Sequence, residues 1–151
     1  MSPLETAQAL IAAWETRDVG TTARLLADDF ILTGPSPAAL GRDAYLGFQA
    51  IHNEAFPDWK FNVQQAEVNN GKVRFTIQIT ATHTGPYDVS KLGVPIPPIA
   101  PTGKSRSWPV EHMRVTVKEG RVRQIEVENE PGGGVVGTLE WLGVDVPAPA
   151  L

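Results

Sequence analysis

The sequence predicts an α+β fold in which three helices precede a curved antiparallel sheet. Apolar residues recur every three or four positions in the first third of the chain, which is typical of amphipathic helices. After Pro57 they alternate with polar residues, which is typical of strands. Helices followed by hairpins favour packing of the helices on one face of the sheet, and this arrangement leaves an internal cavity. The chain of 151 residues fits one domain, residues 1–151.

The helical part contains three predicted helices. The first begins with a capping box, because Ser2 is a suitable N-cap, Pro3 takes the first helical position and Glu5 follows three residues after the cap. A short second helix is predicted over residues 21–29, followed by an apolar strand at residues 30–32. The third helix covers residues 41–56, and Pro57 cannot continue it.

The second part of the chain is predicted to form hairpins. Strands over residues 59–68 and 72–83 meet across an Asn-Gly turn, which is a strong hairpin signal. Strands over residues 106–118 and 121–129 form another hairpin, and a last helix covers residues 135–143. Residues 85–104 contain five prolines and several apolar side chains, so we interpret this long connection as a lid or a dimer arm.

Composition excludes several classes of function. A formal net charge of −4 without a basic cluster argues against nucleic-acid binding. The chain has no cysteine, and His52, His83 and His112 lack metal-ligand spacing, so we expect no metal. No apolar run is long enough for a membrane span, and the N-terminus does not resemble a signal peptide. We therefore expect a cytoplasmic protein.

Several short motifs occur in an order that resembles the SnoaL-like polyketide cyclase family. They are Phe56-Pro57-Asp58, Thr82-His83-Thr84-Gly85, Pro101-Thr102-Gly103, Gly120-Arg121-Val122 and Leu142-Gly143-Val144. The resemblance implies the nuclear transport factor 2-like fold, an α+β cone that encloses a pocket, usually in a homodimer. It also implies an intramolecular aldol closure catalysed without metal or organic cofactor.

The resemblance places the catalytic acid/base of the family near the end of the last strand, at Glu130, where the family usually carries aspartate. Glu128 lies two residues earlier and on the same face if the strand is regular. It is therefore the second candidate for the acid/base, in place of Glu130. The alternative is that Ile125 and Val127 face the core and the glutamates of this strand are solvated. The alternation of apolar residues and glutamates in this strand is consistent with both hypotheses.

His83 ends a strand in which every second residue is apolar, from Val73 to Ala81. It is therefore predicted to point into the pocket and to hold a substrate oxygen opposite Glu130. The alternative is a structural histidine that is hydrogen-bonded to a backbone group.

Further side chains are predicted to line the pocket. Glu111 and Met113 occupy the same alternating positions as the apolar residues of their strand. We therefore expect Glu111 to be a second carboxylate that faces the pocket. Large aromatic residues supply the wall, namely Trp14, Tyr45, Phe56 and Trp108. We predict a cofactor-independent enzyme that acts on a small, apolar, carbonyl-bearing ligand. The specific reaction that we expect is the aldol cyclisation of a polyketide. The alternatives are a non-catalytic dimer that binds small molecules, or an isomerase, dehydratase or epoxide hydrolase on the same fold.

Overall fold

The computed structural model describes residues 1–145, so the end of the predicted domain, residues 146–151, lies outside the described residues. The elements in chain order are α1 (Pro3–Glu15), α2 (Val19–Leu25), β1 (Leu26–Thr33), β2 (Leu40–Gly41), α3 (Arg42–Ala55), β3 (Gln65–Asn69), β4 (Lys72–Ile77), β5 (Thr80–Thr82), a 3-10 helix (Val89–Leu92), β6 (Ser105–Ser107), β7 (Glu111–Lys118), β8 (Arg121–Val127) and α4 (Gly134–Trp141). This order confirms the α+β fold with three helices in the N-terminal part of the chain, where β1 and β2 lie between α2 and α3. Within residues 1–145, none of the helices combines the length and the apolar character that a bilayer crossing needs.

The main sheet has six strands in the order β2-β1-β8-β7-β4-β3, and β5 pairs with β6 in a separate two-stranded sheet. The prediction of an antiparallel sheet needs one correction, because β1 runs parallel to β8. The chain crosses over through α3 and all the hairpins before β8 returns beside β1, and such a long connection permits parallel pairing.

Several predicted elements have different bounds in the structure. The strand predicted over residues 59–68 is reduced to β3, the strand predicted over residues 72–83 is divided into β4 and β5, and two further differences have a clear physical reason. The second helix ends at Leu25, and the residues predicted as its last turn instead begin β1, where Leu26 pairs with Val122. The predicted strand over residues 106–118 is divided into β6 and β7, and the break contains Pro109, which has no N–H to donate to a sheet. Pairing with a neighbouring strand therefore outweighs local helix propensity in β1.

The capping box predicted at the start of α1 is present. The Ser2 hydroxyl accepts a hydrogen bond from the Glu5 N–H at 3.1 Å, and the Glu5 carboxylate accepts one from the Ser2 N–H at 3.0 Å. These two contacts satisfy backbone donors that the first turn of a helix otherwise leaves unpaired.

The proline-rich connection, residues 85–104, is packed against the protein. Tyr87, Val89 and Val94 are buried, and Tyr87 forms an antiparallel bridge with Ile99. The connection contacts α3 through its 3-10 helix. None of its residues lines the internal cavity described below, and its contact with the cavity wall is the hydrogen bond of Tyr87 to His52, so both the lid and the dimer arm stay predictions.

Candidate active site

An internal cavity lies between α1, α3 and the inner face of the main sheet, with α4 beside it. It contains about 620 Å³ of empty space, including its opening to solvent. Most of its lining is aromatic or aliphatic, and is formed by Trp14, Leu32, Pro35, Tyr45, Phe48, Trp59, Phe61, Ile77, Ile79, Trp108, Met113, Ile125, Val127 and Val135. The remaining lining residues are His52, Glu111, Gly134 and Thr138. An apolar cavity with few polar groups is the usual form of a small-molecule site.

Glu111, the first residue of β7, is the carboxylate that the structure places in the cavity wall. It lies opposite Ile77 of β4, on the buried face of the sheet, and is only 4% exposed. The pKa of Glu111 is raised to about 7, mainly by burial and also by the nearby carboxylate of Glu130, while the positive charge of Arg106 partly opposes this increase. A carboxyl group with a pKa near neutrality can both accept and return a proton.

Arg106 attaches the turn before α4 to the aromatic wall. Its guanidinium lies 4.9 Å from the centroid of Trp108 and 5.7 Å from that of Trp141. One Nη2–H donates a hydrogen bond to the Gly132 carbonyl at 2.9 Å. Arg106 therefore holds the turn that lies against Glu111, and supplies a positive charge near this carboxylate.

Three tryptophans stand in a row along the cavity. The ring centroids of Trp14 and Trp59 are 5.4 Å apart, and those of Trp59 and Trp108 are also 5.4 Å apart. The Trp108 indole donates a hydrogen bond to the Thr138 hydroxyl at 3.0 Å, which links the row to α4. The row thus lines the cavity with three neighbouring aromatic rings, whose planes are tilted by 50° between Trp14 and Trp59 and by 42° between Trp59 and Trp108.

His52 lines the cavity as a neutral side chain whose two nitrogens are both occupied. Its Nδ1–H donates to the Phe48 carbonyl at 2.8 Å, and its Nε2 accepts a hydrogen bond from the Tyr87 hydroxyl at 2.9 Å. Burial lowers the pKa of His52 to about 4. His52 is not among the lining residues predicted from the sequence, although its spacing from Tyr45 and Phe48 on one helical face indicates this position.

Five predicted lining residues do lie in the cavity wall, namely Trp14, Tyr45, Trp108, Glu111 and Met113. Phe56 does not, and its placement corrects the expectation. It is fully buried in a second layer, with its ring centroid 5.9 Å from that of Trp59 and 5.7 Å from that of Trp108. Phe56 therefore supports the wall from behind.

Glu128 and Glu130 also lie outside the cavity lining, in contrast to the expectation for both. In β8 the apolar residues Ile125 and Val127 face the cavity, so Glu128 points to the outer face, where its Oε1 accepts a hydrogen bond from Arg114 at 3.0 Å. Glu130 follows the end of β8 and lines a surface groove beside the cavity. Its carboxylate acts on Glu111 through its charge.

His83 is fully buried, as its strand parity indicates, but it lies outside the cavity lining. Its Nδ1 accepts a hydrogen bond from the Thr102 N–H at 3.2 Å and lies 3.0 Å from the Thr102 hydroxyl, and burial lowers the pKa of His83. The Gly103 N–H donates to the His83 carbonyl at 2.8 Å. These contacts are the backbone bonding that the alternative predicted, and they join the Thr-His-Thr-Gly and Pro-Thr-Gly motifs, whereas the buried Nε2 of His83 has no partner among the described residues.

The part of the chain that the structure describes has no group of three histidine, aspartate or glutamate side chains that could hold a metal ion. The titratable side chains in the cavity lining are Tyr45, His52 and Glu111. Among these, Glu111 is the group suited to proton transfer, because His52 already uses both of its ring nitrogens.

Helices packed on a curved sheet around a central cavity define a protein of the nuclear transport factor 2-like fold class. The chain belongs to the SnoaL-like polyketide cyclase family, because the model of that family matches residues 4–128. No curated protein matches the sequence significantly.

Solved structures with low sequence identity share the fold. AclR from Streptomyces galilaeus, a proposed hydroxylase, is 22% identical with a TM-score of 0.71, over 96% of this chain and 84% of its own. Wild-type IdmH from Streptomyces antibioticus, a proposed polyketide cyclase, is 21% identical with a TM-score of 0.70, over 95% of this chain and 100% of its own. An LEH-like epoxide hydrolase from M. tuberculosis is 10% identical with a TM-score of 0.66, over 93% of this chain and 92% of its own. These proteins are named for different reactions, so the reaction has to be argued from the site.

Proposed function

We propose that this protein is a cofactor-independent enzyme that cyclises a small, apolar, carbonyl-bearing ligand by an intramolecular aldol reaction, with Glu111 as the acid/base. The observation that carries this proposal is the buried carboxylate of Glu111 in an aromatic cavity, with a pKa raised to about 7. Membership of the SnoaL-like polyketide cyclase family supports the reaction type. The aromatic lining supports the apolar character of the ligand.

In the proposed reaction, the Glu111 carboxylate removes a proton from the carbon next to a ligand carbonyl, which leaves an enolate. The enolate carbon attacks a second carbonyl of the same ligand, so one C–C bond forms and the second oxygen becomes an alkoxide. Glu111, now protonated, returns the proton to this alkoxide. The sum of the steps is an isomerisation that needs no oxidant, reductant or co-reactant, and one residue with a near-neutral pKa serves as both base and acid.

The cavity wall contributes by excluding water and by holding the ligand in a folded conformation. The row of Trp14, Trp59 and Trp108 offers aromatic surface, while Met113 and Val127 cover the sheet side. Exclusion of water strengthens the electrostatic interactions of Glu111 and prevents side reactions of the enolate. Orientation of the two carbonyl groups in a reactive geometry contributes to the rate acceleration.

Glu130 has a supporting role in this proposal, which differs from the catalytic role expected from the resemblance. Its charge favours the protonated form of Glu111, whereas the charge of Arg106 favours the ionised form. Together with burial, which is the larger effect, the two charges set the pH range in which Glu111 can exchange protons.

The proposal is tested by exchange of the α-protons of 2-tetralone, a small bicyclic ketone, in deuterated water, followed by NMR. We expect the protein to accelerate exchange and the substitution Glu111→Gln to reduce this acceleration by a factor of about 100 to 10,000. Glu128→Gln is the matched control, because it removes a carboxylate from the outer face of the sheet. Binding of 2-tetralone, measured by calorimetry, should change little in Glu111→Gln.

Two results would contradict the proposal. Full exchange activity in Glu111→Gln would exclude Glu111 as the base, and loss of activity in Glu130→Gln alone would return the role to Glu130. If the wild-type protein binds the ketone without accelerating exchange, the non-catalytic binding protein becomes the better description. Ring closure of a linear diketone then separates an aldol cyclase from an isomerase, since an isomerase moves the proton without forming a C–C bond.

A further inference from the structure

The carboxylate of Glu111 has no hydrogen-bond or ion-pair partner in the part of the chain that the structure describes, although the residue is only 4% exposed. Arg106 acts on it through charge, since the Nη2 of Arg106 donates to the Gly132 carbonyl and its Nη1 is unpaired. The Glu111 oxygens are not among the unpaired polar atoms that the protein fully encloses, so they retain accessible surface in the cavity that Glu111 lines. Burial of an unpaired charge is costly, so this carboxylate is suited to a proton or to a cation from outside the chain.

Six aromatic side chains line the same cavity, namely Trp14, Tyr45, Phe48, Trp59, Phe61 and Trp108. Their rings are not parallel, since the planes of Trp14 and Phe61 are tilted by 66° and those of Trp14 and Trp59 by 50°. Tilted rings follow the outline of a compact, rounded group better than that of a flat one. The electron-rich faces of such rings attract cations, and the recognition of substituted ammonium groups by aromatic cages rests on this attraction.

The charges of the cavity lining also favour a cation. Glu111 is the one carboxylate among the lining residues, and these residues include no lysine or arginine. His52 has a pKa of about 4, so it adds no positive charge at neutral pH. The wall already holds one cation of its own chain, because the Arg106 guanidinium lies 4.9 Å from the ring centroid of Trp108. A metal ion needs several oxygen or nitrogen ligands, whereas this lining offers one carboxylate among aromatic rings, so the cation that fits is organic.

We propose that the cavity binds a small organic cation, a substituted ammonium whose charge pairs with the Glu111 carboxylate and whose alkyl groups pack against the aromatic lining. This inference goes beyond the proposed reaction, whose ligand is a neutral ketone, and rests on the proposed function only in that the cavity is the ligand site. The cation and the ketone compete, because both use the Glu111 carboxylate. The protein therefore has a second class of ligand, which blocks the proposed base.

The test compares benzyltrimethylammonium with neopentylbenzene, which has the same shape but carries carbon in place of the charged nitrogen. The ratio of the two dissociation constants is measured by calorimetry at about pH 8, where Glu111 is mostly ionised, for the wild-type protein and for Glu111→Gln. This substitution removes the charge and keeps the size of the side chain, so it should shift the ratio about 10- to 100-fold in favour of the neutral compound. Glu128→Gln is the matched control and should leave the ratio unchanged, because the Glu128 carboxylate pairs with Arg114 on the outer face of the sheet.

A second measurement uses the unmodified protein and does not depend on how the variant folds. The cation pairs with the ionised form of Glu111, so its affinity should rise with pH through a midpoint of about 7, whereas the affinity of neopentylbenzene should not rise. Binding of the cation at pH 7 should release about half a proton, because about half of the Glu111 carboxyl groups are protonated there. Calorimetry in two buffers that differ in their ionisation enthalpy measures the number of protons released.

The released proton can be assigned to Glu111. The charged groups that face Glu111 are Glu130 on the turn before α4 and Arg106 on β6. The other titratable groups of the lining are His52, with a pKa of about 4, and Tyr45, whose pKa is raised by burial. Neither of these two lining groups titrates near pH 7. Proton release in the wild type should therefore disappear in Glu111→Gln and persist in Glu130→Gln.

The inference is overturned if benzyltrimethylammonium does not bind, if the ratio of dissociation constants is the same in Glu111→Gln and the wild type, or if binding at pH 7 releases no proton. Its failure is distinguishable from failure of the proposed reaction. Exchange of ketone protons that depends on Glu111, without binding of the cation, would contradict the cation site alone. Binding of the cation that depends on Glu111, without any exchange of ketone protons, would contradict the reaction alone.

Discussion

The carboxylate of Glu111 lies directly against the backbone of Gly133, so closely that a Cβ atom at Gly133 would be 2.9 Å from Oε2 of Glu111. Gly133 has φ −88° and ψ 173°, a backbone conformation that any residue can adopt. A side chain at this position would therefore meet the Glu111 carboxylate, without any backbone strain of its own. This contact joins the start of β7 to the turn before α4.

The substitution Gly133→Ala should displace the Glu111 carboxylate while the fold is retained. We expect the rate of α-proton exchange to fall roughly 10- to 100-fold, because a shift of about 1 Å in a catalytic group has effects of this size. Gly47→Ala is the control, since a Cβ at this exposed position in α3 has no neighbour within 4 Å. It should leave exchange unchanged and raise the free energy of unfolding by about 0.5–1 kcal/mol, measured by denaturant titration. Equal exchange rates in Gly133→Ala and the wild type would contradict the role of this contact.

The rate of exchange should rise with pH through a midpoint of about 7, because only the ionised form of Glu111 can accept a proton. Glu130→Gln removes a neighbouring negative charge, so the midpoint should move to lower pH. Arg106→Met removes a positive charge, so the midpoint should move to higher pH, and Arg106→Lys should restore most of the difference. A midpoint that is the same in all of these variants would show that another group controls the rate.

His52 should make the protein less stable as the pH falls from about 6.5 to about 4. The folded protein holds the pKa of His52 at about 4, below the value of an exposed histidine, so its stabilising contribution is present above pH 6.5 and is lost on acidification. The full effect is on the order of 3 kcal/mol, since one pKa unit corresponds to about 1.4 kcal/mol. We expect the free energy of unfolding of a His52→Phe/Tyr87→Phe double variant to lack this dependence.

The comparison for His52 is best made in a Glu111→Gln background. The pKa of Glu111 is raised in the folded protein, so its protonation stabilises the fold as the pH falls from about 7 to about 4.5, which is the opposite sign over an overlapping range. If the free energy of unfolding has the same pH dependence with and without His52 in this background, the prediction is contradicted.

We propose that the protein forms a homodimer through the outer face of the sheet, as the family resemblance implies. This face carries Ile31, which is 41% exposed, and an ion-pair group in which Arg114 contacts Glu126 at 3.3 Å and Glu128 at 3.0 Å. Light scattering should give about twice the chain mass of 16.3 kDa, and Arg114→Glu should produce the monomer by placing three carboxylates together. A wild-type mass near 16.3 kDa at micromolar concentration would exclude the dimer.

The elements that the sequence predicts well are those in which local patterns determine the structure. The contacts between Ser2 and Glu5 are local, and the alternation from Val73 to Ile77 is that of a half-buried strand. The start of β1 is harder to predict from the sequence, because Leu26 to Asp29 have a helical pattern and form a strand only through pairing with β8. Pairing between strands about 95 residues apart cannot be read from a local window.

The same distinction applies to the site. The burial of Glu111 follows from its parity with Met113 in one strand. The position of Glu130 could not be inferred in this way, because β8 ends at Val127 and the alternation does not continue through the turn. The contact of Trp14 with Trp59, and that of His52 with Tyr87, depend on packing between distant elements.

The row of tryptophans also has an optical consequence. Three of the four indoles in the chain line one cavity, with successive ring centroids 5.4 Å apart, so excitation absorbed by one indole passes readily to the next. A ligand that quenches any one of Trp14, Trp59 and Trp108 will therefore lower the emission of the whole row. The intrinsic fluorescence of this protein thus reports occupancy of the cavity without any added label, and makes a library of unlabelled compounds directly screenable.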